Sequence, residues 1–292
     1  MRPLYAHDDQ SKWGLHFQLA SGRAGLRCEL FKRPDQVPDD AVAFVRLNQM
    51  GDLRSEGKGI ISALSKRGIP TLPNAFEAEL YDDKAAQISV LKKWLPPTSF
   101  IQDPIEAMHK AEKMSYPFMS KSKDGASSAG VRLIQNKEQA LKEVKAVFGM
   151  GIQSVYNRRQ KGYLIWQDFI PGNECDYRVI ITGNRLFGLK RYVRPDRPMA
   201  SGSGNNEPIL TLGDPRAEVA FEMALEISNV IQTQWMAYDF VFDGDRCYVL
   251  EMSSAWMAGP YHFCQMFDLG LEPTRERGGN MFDKAVEICR DI

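Results

Sequence analysis

Lys121 closes the segment Tyr116-Pro117-Phe118-Met119-Ser120-Lys121, and a small, flexible run follows it, Asp124-Gly125-Ala126-Ser127-Ser128-Ala129-Gly130-Val131. A lysine at a strand end meets phosphate as a mobile point charge. Glycine and serine let backbone N–H groups approach phosphate oxygens with little side chain in the way. Far downstream, Asp239 and Glu251 fall on two predicted strands joined by Asp243-Gly244-Asp245. Carboxylates facing each other repel unless a cation joins them, and Mg²⁺ is held by one or two carboxylates together with phosphate oxygens. Asp239 lies between Tyr238 and Phe240, and Glu251 follows Val249-Leu250, an apolar setting that favours a metal over a solvated pair. Together these residues imply nucleotide-dependent phosphoryl transfer. Read singly, the loop also fits a plain hairpin tip and the acids a surface pair. The loop is neither a Walker A loop nor a GxGxxG fingerprint.

Asp176-Tyr177-Arg178 and Lys190-Arg191 form a third cluster. On facing hairpin strands Arg178 and Arg191 could converge on one anion, since arginine's fork suits phosphate or carboxylate; surface arginines on a sheet are the alternative. The four histidines (His7, His16, His109, His262) show no ligand spacing, and no GxSxG elbow occurs. The five cysteines (Cys28, Cys175, Cys247, Cys264, Cys289) are scattered and form no CxxC pair, which argues against a disulfide framework or zinc site and suits a reducing cytosol.

The chain has 292 residues, enough for two or three compact units. Lysine plus arginine and aspartate plus glutamate both number 37, so bulk charge makes no case for nucleic acid or membrane binding. No apolar run approaches the roughly 20 residues needed to span a bilayer, and the N-terminus carries no signal-peptide core.

To position these groups the sequence predicts an α/β beginning. Strands fall at 4–6, 28–31, 41–47 and 69–72, and helices at 13–20 and 59–67, the latter stopped by Gly68. The continuous apolar run 41–47 has the pattern of a buried parallel strand. Asp82 or Asp83 is placed to cap a helix from Lys84. Residues 98 to about 160 then read as a small α+β unit. A strand at 163–170 follows, then a hairpin around Gly183-Asn184, a helix at 217–231 and a second hairpin at 236–252.

In this order the motifs resemble the ATP-grasp superfamily, and within it the RimK-like carboxylate–amine ligases, over nearly the whole chain. The resemblance implies an ATP-grasp fold of mixed α/β and α+β class: a pre-ATP-grasp domain over 1–82, a small lid subdomain over 83–161 and a large subdomain with a metal site over 162–292. It implies ATP as substrate and Mg²⁺ (or Mn²⁺) as metal, with Lys84 and Lys121 on phosphate and Gly125, Ser127 and Ser128 in the covering loop. Gln167-Asp168-Phe169-Ile170 is similar to the linker that meets adenine, with aspartate in place of the commoner glutamate. Asp176 is implied near the ribose or the linker, Arg178 and Arg191 near the reacting phosphate, and Asp239 and Glu251 on the metal. Ser253, a weaker oxygen ligand, stands where the family's Glu-x-Asn pattern has asparagine. The implied reaction joins a carboxylate to an amine through an acyl phosphate. A kinase-like phosphotransferase and a non-catalytic nucleotide-binding or scaffold protein are the alternatives. The family also allows a homo-oligomer. The aromatic segment Trp256–Phe263 reads either as acceptor-pocket lining or as a packed loop.

Overall fold

A computed structural model describes the chain apart from residues 1, 10, 49–50, 126–127, 155–157, 195–198, 201 and 203, and apart from the side chains of 51, 52 and 54. Ser127 of the candidate loop therefore lies outside the described residues.

The first unit is a parallel sheet in the order Cys28–Phe31, Leu4–His7, Val42–Phe44, Thr71–Leu72. The run from Ala41 to Val45 is wholly buried, as a strand covered on both faces must be. The helix expected from 59 extends over Gly51–Lys66; its first two turns are polar and carry no apolar periodicity, so the sequence pattern does not mark them. It stops at Gly68, whose φ of +73° is a left-handed conformation glycine adopts without strain. A helix the sequence reading left out, Met281–Asp291, packs on Trp13–Arg23. Its buried face joins Trp13, Phe17 and Phe44 in one core with Trp235 and Trp256.

The second unit is an antiparallel sheet in the order Thr98–Ile101, Leu164–Asp168, Phe118–Lys121, Val131–Ile134. Its apolar face buries Phe118, Ile134 and Trp166 with Ala107, Ala111, Ala140 and Val144, residues of the helices Pro104–Lys113 and Lys137–Phe148. Two elements depart from the expected boundaries. Leu164–Asp168, expected in the third unit, pairs on both sides within this sheet. The helix Lys84–Leu91, expected in the second, packs through Ala86, Ile88 and Leu91 into the core of the third. Apolar burial, which sequence order does not reveal, decides both.

The third unit is an antiparallel sheet in the order Arg246–Ser253, Trp235–Asp243, Cys175–Thr182, Arg185–Tyr192, Gln265–Phe267, Pro273–Arg277, with Asn206–Pro208 beside Arg185–Tyr192. Side chains alternate between its faces. Tyr177, Val179, Ile181 and Tyr238 pack with Phe221 and Ala224 of the helix Pro215–Ile231. Ile180, Phe187, Leu189, Trp235 and Ala237 point the other way, into the core shared with the first unit. Two residues further along those strands, this second face changes from apolar to charged: Arg178, Arg191 and Asp239, with Asp176 beyond them.

Candidate functional site

The charged groups form one row across four strands. Arg191 is the register partner of Asp176, Arg178 of Asp239, and Asp239 of Glu251. A register shift follows directly after Asp239; such a bulge re-aims side chains. The anion on which Arg178 and Arg191 converge is Asp239. Arg178 donates from Nε and an Nη to its two oxygens at 2.5 and 2.7 Å, and Arg191 approaches the same carboxylate at 2.7 Å. Arg191 also donates twice to Asp176, at 2.7 and 2.6 Å. Burial by itself would raise the Asp239 carboxyl, but the two guanidinium groups outweigh it and hold it well below the usual carboxylate range. Glu251 is more open and has Lys84 Nζ at 3.5 Å.

The two lysines arrive from different units. Lys84 is the first residue of its helix, which Asp83 caps by accepting from the N–H groups of Ala85 and Ala86. Its Nζ donates to the Gly125 carbonyl at 3.1 Å. Lys121 ends its strand opposite Ile165, with Nζ 3.5 Å from the Leu250 carbonyl. Burial lowers the Lys121 ammonium to about 8, with Glu251 opposing the shift and Lys84 adding to it.

The loop after Lys121 is tied at its base. The Lys84 N–H donates to the Lys123 carbonyl and the Gly125 N–H to an Asp82 oxygen, at 2.8 and 2.7 Å. Asp124 pairs with Arg158 at 2.7 Å. The Lys123 ammonium lies 5.0 Å from the ring centres of both Phe100 and Tyr163. Ser128 and Gly130 both have positive φ.

Two cavities meet at this row. The first, about 610 Å³, is lined by Lys121, Gly125, Ser128, Gln167, Asp168, Phe169, Asp176, Arg191, Asp239 and Glu251. Ten of the candidate residues thus share one cleft, and its apolar walls include Met119, Val131, Val193 and Leu250, which no motif marked. The second, about 550 Å³, is lined by Lys84, Arg178 and Ser253. Gly125, Arg191 and Glu251 line both. Within the first cleft Gln167 donates to the Thr98 hydroxyl at 2.9 Å, and the Asp168 N–H is taken by the Pro97 carbonyl.

Asp239 and Glu251 are opposed on adjacent strands at the edge of the first cleft. Paired carboxylate oxygens beside a polyphosphate-sized cavity suit Mg²⁺, which takes the rest of its shell from phosphate and water. No cluster of three or more His, Cys, Asp or Glu residues that could hold a metal occurs among the described residues. Ser253 lies two residues beyond Glu251 on the same strand, and its hydroxyl donates to the Ala255 carbonyl at 2.5 Å. Trp256 borders the second cavity yet is only 2% exposed. It stacks on Trp235 with ring centres 4.9 Å apart, so it is a packed core residue at the edge of that cavity.

Three sheets arranged in this way, with the candidate residues gathered between the second and third, constitute the ATP-grasp fold, as expected from the sequence. The chain is similar to the RimK-domain ATP-grasp protein of Sphaerobacter thermophilus (18% identity, TM-score 0.60, covering 86% of this chain and 90% of that one). It is also similar to the N5-carboxyaminoimidazole ribonucleotide synthetase of Thermotoga maritima (14%, TM-score 0.66, 100% and 76%). A third similar structure is the ATP-grasp ligase PsnB complexed with minimal precursor, Mg and ADP (12%, TM-score 0.56, 87% and 89%). No protein-family model and no curated protein sequence matches the chain.

Proposed function

We propose that this protein is an ATP-dependent carboxylate–amine ligase. The observation that carries this reading is the meeting of two cavities at one wall of Gly125, Arg191 and Glu251. A nucleotide in the first cleft would present its terminal phosphate to an acid in the second. Lys121 and Lys84 hold the phosphates, and the loop around Gly125, Ser128 and (outside the described residues) Ser127 covers them. The base lies between Met119, Val131 and Leu250, against Gln167-Asp168-Phe169. Because the Asp168 N–H is already taken, the backbone beyond it must meet the base. Asp176 holds Arg191 in place.

Asp239 and Glu251 are the residues to hold Mg²⁺ (or Mn²⁺), which when bound offsets phosphate charge. PsnB, complexed with Mg and ADP, supports a metal together with the nucleotide. The substrate carboxylate attacks the γ-phosphorus, giving an acyl phosphate and ADP. An amine then attacks the acyl carbon and expels phosphate, leaving an amide. Arg178 and Arg191 stand where negative charge grows during transfer, and fixed donors there act without reorganising. A cytoplasmic setting belongs to this reading and is supported by the five free thiols.

The test supplies ATP, Mg²⁺, pooled carboxylates and hydroxylamine. Formation of a hydroxamate with stoichiometric ADP supports an acyl phosphate. ATP binding without turnover in any pool would instead favour a non-catalytic nucleotide-binding protein, the reading that Ser253 motivates. A stable phosphorylated product that hydroxylamine does not trap would favour a kinase.

A further inference from the structure

The helix Lys84–Leu91 buries Lys84, Gln87 and Leu91, which at spacings of three and four share one face. Leu91 belongs to the apolar core, and Lys84 serves the phosphates in the ligase reading. Gln87, only 4% exposed, belongs to neither.

What Gln87 meets is an open sheet edge. Arg246–Ser253 is the outermost strand of the third sheet, so its outward N–H and C=O groups have no further strand to pair with. Buried groups of this kind need partners. The Gln87 amide accepts from the Met252 N–H at 3.2 Å and donates to the Met252 carbonyl at 2.8 Å, the two bonds that a neighbouring antiparallel strand would exchange with it. Its nitrogen also donates to the Leu80 carbonyl at 2.7 Å. Further along the same edge, the Val249 N–H donates to the Trp94 carbonyl at 3.0 Å.

Met252 adjoins Glu251, and Gln87 lies one helical turn from Lys84, whose Nζ is 3.5 Å from Glu251. The hairpin is held independently. Strand Trp235–Asp243 pairs on both sides, and the buried Glu77 carboxylate accepts from the Gln234 and Trp235 N–H groups at 2.7 and 3.0 Å. Gln87 thus registers the helix on a strand that is fixed without it, and its loss frees the helix rather than the strand.

We propose that Gln87 is a positioning residue: by pairing with Met252 as a strand would, it sets where Lys84 stands relative to Glu251, and so how tightly a metal-bound nucleotide is held. Gln87 acts through Lys84 rather than on the nucleotide. The proposal rests on the nucleotide-binding part of the ligase reading.

The experiment is a double-mutant cycle on the affinity of the full chain for an ATP analogue whose β–γ bridge cannot be cleaved, titrated into the millimolar range with saturating Mg²⁺. Gln87→Met keeps the length of the side chain and removes the amide bonds. It is expected to weaken the nucleotide by about tenfold, the scale of one lost hydrogen bond to a charged group. In a Lys84→Ala chain, where Lys121 still holds phosphate, the same substitution is expected to change affinity by less than about twofold, because the group that Gln87 positions is gone. A role in packing alone predicts lower stability with the same change in affinity whether or not Lys84 is present. Equal effects in the two backgrounds overturn the proposal, as does an unchanged affinity in Gln87→Met. Gln87→Asn, which keeps an amide but is one methylene short of Met252, takes the place of Gln87→Met in the cycle if that variant does not fold, under the same criteria. No binding by the parent chain overturns the nucleotide reading together with this role, whereas binding by the parent with an additive cycle removes this role alone.

Discussion

Asp239 and Glu251 face each other across adjacent antiparallel strands, but only Asp239 is enclosed by arginine. Both of its oxygens receive guanidinium N–H groups, whereas Glu251 has a lysine at 3.5 Å. The two acids should therefore respond differently to substitution.

Asp239→Asn leaves Arg178 and Arg191 buried side by side without their shared counter-charge. Breaking a buried ion pair by removing one partner costs about 3–5 kcal/mol. We expect a loss of stability on that order in chemical denaturation, accompanied by loss of ATP turnover. A variant as stable as the parent would show that the network is not holding the sheet together.

Glu251→Gln keeps shape and sits at a more open position. Stability should change little, while Mg²⁺-dependent ATP turnover should fall by on the order of 10²-fold, the scale of losing one electrostatic group from a transfer site. Undiminished turnover at limiting Mg²⁺ would remove Glu251 from the metal role.

Lys121 has a pH signature. Burial lowers its ammonium from 10.5 to about 8, so between those values the folded chain binds fewer protons than the unfolded one. The contribution of this group to stability accordingly rises with pH across that window. Polyphosphate favours the charged ammonium, so nucleotide binding above pH 8 should take up a proton and weaken by up to about tenfold per pH unit. Calorimetry at pH 8.5 in buffers of different ionisation enthalpy measures the uptake, which Lys121→Arg should abolish. No uptake by the parent chain would contradict the assignment.

Ser253 tests the departure from asparagine. Its hydroxyl is spent on Ala255, so Ser253→Ala should leave the Mg²⁺ dependence of turnover within about twofold, losing only a hydrogen bond of about 1 kcal/mol. A marked rise in the Mg²⁺ requirement would show that the hydroxyl serves the metal after all.

Trp256→Ala should act chiefly on folding. Trp256 packs against both Trp235 and Trp13, and such truncations cost about 3–5 kcal/mol. Denaturation, read beside the acceptor KM, separates this core role from any lining role.

Strands, caps and turns were legible because their signals are local. Asp83 caps a helix, Gly68 ends one, Gly183-Asn184 turns a hairpin, and the period-2 pattern places Asp239 and Glu251 on facing strands. The clustering of the candidate residues was legible only through family resemblance, since nothing local to Lys121 says that it meets residues 239 and 251. The helix Met281–Asp291 had a readable pattern at 281, 282, 285, 286 and 289 but no motif to draw notice. The apolar walls of the cleft, Met119, Val131 and Leu250, look like any strand residues.

What the sequence determined by itself, then, was which groups are available and which face of each element they occupy, because backbone periodicity follows from residue order. Tertiary structure alone decided their partners. It joined Arg178 and Arg191 to an acid within the protein, tied the Ser253 hydroxyl to Ala255, and set Leu164–Asp168 in the second sheet and Lys84–Leu91 against the third. Each of these outcomes depends on burial and charge pairing between segments far apart in the chain, and such energies have no local trace.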